Sequence, residues 1–105
     1  MNITNYRSLV ITDISDTCIR LGLRELAERV RTASTRDEWA AISCEILASD
    51  DTSEAALAAS RAAYSLCLGL TFGAVDYLCA LRGLSLGEWE AEVMAMQAAA
   101  AMEAA

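Results

Sequence analysis

A chain of 105 residues with 55% hydrophobic content can bury one core and is too short for two, so residues 1–105 are expected to form a single domain. All eight basic residues are arginine, set against fifteen acids, and the net charge of −7 with no lysine argues against phosphate binding and so against a direct nucleic-acid partner. Lysine-free, alanine- and arginine-using chains fit a GC-rich genome, which points to a bacterium or a mobile element within one. The start "MNITNYRSLV" lacks the basic and then apolar layout of a secretory signal, and a cytoplasmic location is expected.

No proline interrupts the chain and alanine is abundant, so the class expected is all-α, a single small bundle of four or five helices with a mostly buried central helix. In the first helix Ile3, Tyr6, Val10, Ile14, Cys18 and Leu21 recur at three- and four-residue steps and form one apolar stripe, and Gly22 fits its C-terminus. The β-branched stretch "SLVIT", 8–12, is the competing reading as a short strand. A second, short helix places Leu23, Leu26, Ala27 and Val30 inward and Arg24, Glu25, Glu28, Arg29 and Arg31 outward.

Two stretches, "TRDEW" at 35–39 and "SLGEW" at 85–89, hold both tryptophans and read as helix starts rather than as a shared binding motif. In a capping box a hydroxyl accepts from the third helical N–H while the glutamate at that position bonds back to the cap, and Thr35 with Glu38 and Ser85 with Glu88 fit this rule. The helix opened by Thr35 is expected to run to about Ala48. A third start lies in "ASDDTSEAAL", with Asp51 or Thr52 as cap and Glu54 in the first turn.

From Ala62 to Leu81 the chain reads "AAYSLCLGLTFGAVDYLCAL", with Asp76 as its only charge. The expectation is a central helix buried on most sides, Gly69 and Gly73 admitting a neighbouring helix, and Asp76 paired with an arginine such as Arg82. A membrane span over 62–81 is the competing reading; an intramembrane carboxylate and the absence of a flanking basic cluster count against it. The last helix, from Ser85, should turn Leu86, Trp89, Val93, Met96 and Ala100 to the core. Glu88, Glu92 and Glu103 then lie along one flank, Met94 and Met102 face solvent, and the alanine-rich end over 97–105 is prone to fray. Trp39, Trp89, Tyr64, Leu68, Phe72 and Leu78 are assigned to the core.

The four cysteines, Cys18, Cys44, Cys67 and Cys79, form no C-x-x-C pair and have no histidine to complete a zinc site, so they are expected to behave as buried, small apolar side chains with no metal or cofactor. Acid–base or Schiff-base catalysis would have to manage without histidine and lysine, and no carboxylate pair has a recognisable catalytic spacing; the chain is expected not to be an enzyme. A helix-turn-helix reading of "VDYLCALRGLSLGEWEAEV" fails on charge, since its second helix carries Glu88, Glu90 and Glu92 with no basic residue after Arg82.

Protein contact remains. From Ile46 onward eight acids face only Arg61 and Arg82, so the acidity is polarised along the chain. The expected contact residues are Glu88, Glu92, Met94, Met102 and Glu103, with Asp50, Asp51 and Glu54 as a second acidic site, and the expected partner is a protein with a basic surface. Size, acidity and lack of catalytic residues match the style of small phage and mobile-element inhibitors of nucleic-acid-handling complexes, such as those acting on CRISPR effectors. The alternative is a self-associating adaptor that dimerises through its last helix.

Overall fold

The structure, a computed structural model, describes residues 5–49 and 53–104. Six helices follow one another there, with no strand: α1 (Tyr6–Arg20), α2 (Arg24–Thr32), α3 (Arg36–Ala48), α4 (Glu54–Cys67), α5 (Thr71–Arg82) and α6 (Leu86–Ala104). The all-α class stands, and the expected four or five helices become six because the 62–81 run is two elements. "SLVIT" is interior to α1, where neighbouring helices cover its apolar side.

Local chemistry explains most boundaries. The Asn5 side chain accepts from Ser8 N at 3.0 Å and opens α1. Thr35 and Glu38 form the reciprocal capping box of α3, and Ser85 and Glu88 make the same two bonds, at 3.2 and 3.0 Å, at the start of α6. The cap of α4 is Ser53, which accepts from Ala56 N, rather than Asp51 or Thr52; these last two lie outside the described residues.

The break inside the apolar run is a Schellman turn. Gly69 takes φ of +75°, its N–H bonds to Leu66 O at 3.0 Å, and the Leu70 N–H bonds back to Ser65 O at 2.8 Å. An L side chain at that φ meets its own carbonyl, so glycine ends α4 where apolar periodicity alone would have continued it. Gly22–Leu23 and Gly83–Leu84 close α1 and α5 with the same pair of bonds. No helix among the described residues is long and apolar enough to cross a membrane.

α1 is the central element, packed against α2, α4, α5 and α6. Val10, Ile14 and Cys18 of its stripe are fully buried, and burial pushes the Cys18 thiol up to about 11, which keeps it protonated and inert. Both tryptophans, Leu78 and Val93 join the core as expected, and Ile42 and Ile46 of α3 complete it. α4 packs on α3 through alanines and a buried serine pair: each hydroxyl donates to the other's backbone carbonyl, Ser43 Oγ to Ser60 O at 2.9 Å and Ser60 Oγ to Ser43 O at 3.0 Å. Small side chains with satisfied hydroxyls let the two backbones approach closely.

Arg82 was expected to meet Asp76 but turns the other way. Its guanidinium pairs with Asp13 of α1, which has zero exposure and also accepts from Trp89 Nε1 at 2.7 Å. One carboxylate therefore ties α1, α5 and α6 together, while Asp76 is exposed. Burial pushes the Asp13 carboxyl up, and the Trp89 and Arg82 hydrogen bonds pull it back only in part.

Candidate functional site

Tyr64, Leu68 and Phe72, assigned to the core from sequence, are exposed by 53%, 43% and 64%. The reason is architectural. α4 turns its alanines, Ala56, Ala59 and Ala63, inward with Leu66, and Leu57, Arg61 and Tyr64 fall on the opposite face. Leu57, Arg61, Tyr64 and Leu68 follow one another at four-, three- and four-residue steps and form a single outward line. Phe72 is set apart on α5 and packs on Tyr6 of α1, with ring centroids 5.2 Å apart.

Beside that line runs a groove of about 640 Å³ across α3, α4 and α5. Leu47 of α3, Tyr64 and Leu68 of α4, Leu70 of the turn and Tyr77 of α5 give it apolar walls, and all five are more than a third exposed. Ser43, Ser60 and Ser65 lie deeper and are buried. The Ser43 and Ser60 hydroxyls are committed to each other's backbones, so the polar atoms there do not demand water. The walls are therefore ready to lose their hydration to apolar side chains, at about 25 cal/mol for each Å² covered.

Among the described residues Arg61 is the only charged one lining this groove. Its guanidinium stands 5.7 Å from the Tyr77 ring centroid, a cation–π arrangement that holds it against the wall. Among the described residues no carboxylate lies within ion-pair distance of it, whereas Arg20, Arg29 and Arg82 are paired with Asp16, Glu45 and Asp13. Cys44 stands exposed at the edge, a correction to the expectation that all four thiols are buried; Cys67 and Cys79 are half-buried and Cys18 fully so.

Among the described residues, the contact residues expected from sequence divide between α6 and the first turn of α4. Glu88 is spent as the partner of Ser85 in the α6 cap, and those hydrogen bonds hold its carboxyl below the ordinary range. Glu92 is exposed and stands 3.7 Å from Arg82. Met94, Met102 and Glu103 are exposed on α6, the two methionines by 53% and 78%. Glu54 sits in the first turn of α4, and Asp50 and Asp51 lie outside the described residues. Met96 is half-buried, and Gln97, which sequence reasoning left unassigned, anchors α6 to α1 by donating to Ser8 Oγ and Thr12 Oγ1 at 3.2 and 3.0 Å.

Sequence reasoning missed the groove because it read 62–81 as one buried helix. The signal that finds it is "LGL" at 68–70: a glycine followed by leucine closes a helix, as Gly22 and Leu23 close α1. Among the described residues no three Cys, Asp or Glu side chains converge as metal ligands would. No protein family, curated protein or solved structure matches the chain.

Proposed function

We propose that this protein is a non-enzymatic protein-binding module whose main contact face is the groove across α3, α4 and α5. The observation that carries this reading is the set of exposed apolar walls, Leu47, Tyr64, Leu68, Leu70 and Tyr77, gathered around the cation of Arg61. The largest apolar patch on a soluble monomer is often a contact site at about 300–600 Å². At roughly 150–250 Å² per aromatic side chain, the exposed parts of Tyr64 and Tyr77 alone reach about 200 Å² before the leucines are added. The groove follows α4 from Arg61 to Leu68, about two helical turns, a length suited to an amphipathic helix laid along it.

The narrower reading is an inhibitor that docks on a basic surface of a nucleic-acid-handling complex, of the phage or mobile-element type. It rests on the polarised acidity, of which Glu92 and Glu103 are exposed on α6. Affinity capture from a bacterial lysate with the parent chain, with Tyr64→Glu/Leu68→Glu and with Glu92→Arg/Glu103→Arg separates the two faces. A partner lost only with the groove pair supports the groove, and a basic, salt-released partner lost only with the charge reversals supports the inhibitor reading. A captured set unchanged by both pairs refutes contact through either face.

A further inference from the structure

We infer that the groove receives α6 of a second copy of this chain, with Glu103 of one copy pairing with Arg61 of the other. The inference rests on the groove being a contact face and names its occupant. Among the described residues, two of the exposed surfaces are apolar over several neighbouring side chains. One is the groove. The other is a line on α6: Ala95, Ala99 and Met102 stand at four- and three-residue steps, share one side of the helix and are exposed, with Ala95 and Ala99 at the edge of a crevice that Arg20, Arg82 and Glu92 also line. The helix is held to the body by Trp89, Val93 and Gln97, and over 98–103 every described side chain is exposed.

The two surfaces match in shape, length and charge. The groove walls are large, two tyrosines and three leucines, and the α6 line is small, alanine with one flexible methionine that adapts to irregular gaps. From Ala95 to Glu103 the helix rises about 12 Å, and from Arg61 to Leu68 the groove follows α4 for about 10 Å. Among the described residues Arg61 is the only charge lining the groove, and Arg82, the other basic residue after Ile46, is already paired with Asp13. On α6 the last charge is Glu103, at the edge of the Ala99–Met102 line and one helical turn beyond Ala99. Among the described residues neither Arg61 nor Glu103 has an ion-pair partner, so the two offer one ion pair, formed while both surfaces leave water.

Sedimentation velocity of the full chain over a wide concentration range tests this, with far-UV circular dichroism as the folding control. The parent should sediment above monomer mass as concentration rises. Arg61→Glu and Glu103→Arg should each weaken association about tenfold or more, and the double reversal should restore most of it. A parent that stays monomeric throughout overturns the inference, and the capture experiment then judges the groove separately. Association abolished by Tyr64→Glu but indifferent to Glu103→Arg, or not rescued by the double reversal, also overturns it while leaving the groove as a contact face. Association untouched by Tyr64→Glu and Arg61→Glu alike removes both this inference and the groove as the self-contact.

Discussion

Asp13 gives the sharpest test of how the bundle is held together, because a single carboxylate satisfies groups from two other helices. Asp13→Ala removes the acceptor of Trp89 Nε1, held at 2.7 Å with no exposure, and the partner of Arg82. Breaking a buried ion pair costs about 3–5 kcal/mol when the survivor stays buried. Here Arg82 keeps 25% of its side chain in solvent and has Glu92 at 3.7 Å, so its share falls toward the lower end. The orphaned Trp89 N–H adds about 1–3 kcal/mol. A loss of about 4 kcal/mol is a large part of the ~5–15 kcal/mol available to such a domain, and with a urea slope of about 1–3 kcal/mol per M it lowers the midpoint by roughly 2 M.

Asp13→Asn is the discriminating partner. The amide oxygen can still accept from Trp89 while the charge, which burial disfavours, is gone, so more than half of the loss should return. Urea denaturation followed by tryptophan emission and by far-UV circular dichroism reads both variants. Equal losses for Ala and Asn would show that the charge and not the hydrogen-bond geometry holds the helices, and a loss below about 0.5 kcal/mol for Ala, the range of ordinary surface changes, would refute the account altogether.

The remaining tests address the other structural claims. Trp39 Nε1 has no hydrogen-bond partner among the described residues, so Trp39→Phe loses volume and weakens the Arg7 contact over its ring at 5.9 Å but breaks no hydrogen bond, whereas Trp89→Phe also loses its bond to a carboxylate; chemical denaturation should show an excess cost of about 1.5–3 kcal/mol for Trp89. Gly69→Ala should destabilise by about 1–2 kcal/mol because φ is +75°. Gly73→Ala, whose new methyl meets Leu70 and Ser65 at ordinary contact distances of 3.5 and 3.7 Å, should stabilise α5 by up to about 1 kcal/mol, and melting curves that move the same way for both would contradict a turn at 69. In pH titration of stability, Glu38 and Glu88 are held below their usual value of 4.5 by Thr35 and Ser85, so what they contribute is present above that value and disappears as pH falls through their folded pKa. Asp13 runs the other way: its carboxyl is raised above 3.8, so its contribution is full below that value and is lost as pH rises through the folded pKa, a slope that Asp13→Asn should abolish.

Where local chemistry decides a structure, the sequence was sufficient. The capping boxes at Thr35 and Ser85, the end of α1 at Gly22, the core stripe through Val10, Ile14 and Cys18, and the burial of both tryptophans follow from hydrogen bonds and apolar spacing within a few residues. The two exposed methionines of α6 were also legible, since they fall off the Trp89–Val93 face.

What sequence left undetermined was partner choice. A run such as 62–81 is apolar on all sides, so periodicity cannot say which side is covered. Only the packing of α4's alanines on α3 sends Tyr64 and Leu68 outward and opens the groove. In the same way, Arg82 has acids near it in sequence, Asp76 and Glu88, yet it is paired with Asp13, 69 residues away, because α5 packs on α1 as well as on α4 and so meets the α1 carboxylate. Short-range hydrogen bonds set where each helix starts and stops; the choice of buried face and ion-pair partner belongs to the whole fold, since it depends on which surfaces lose water together.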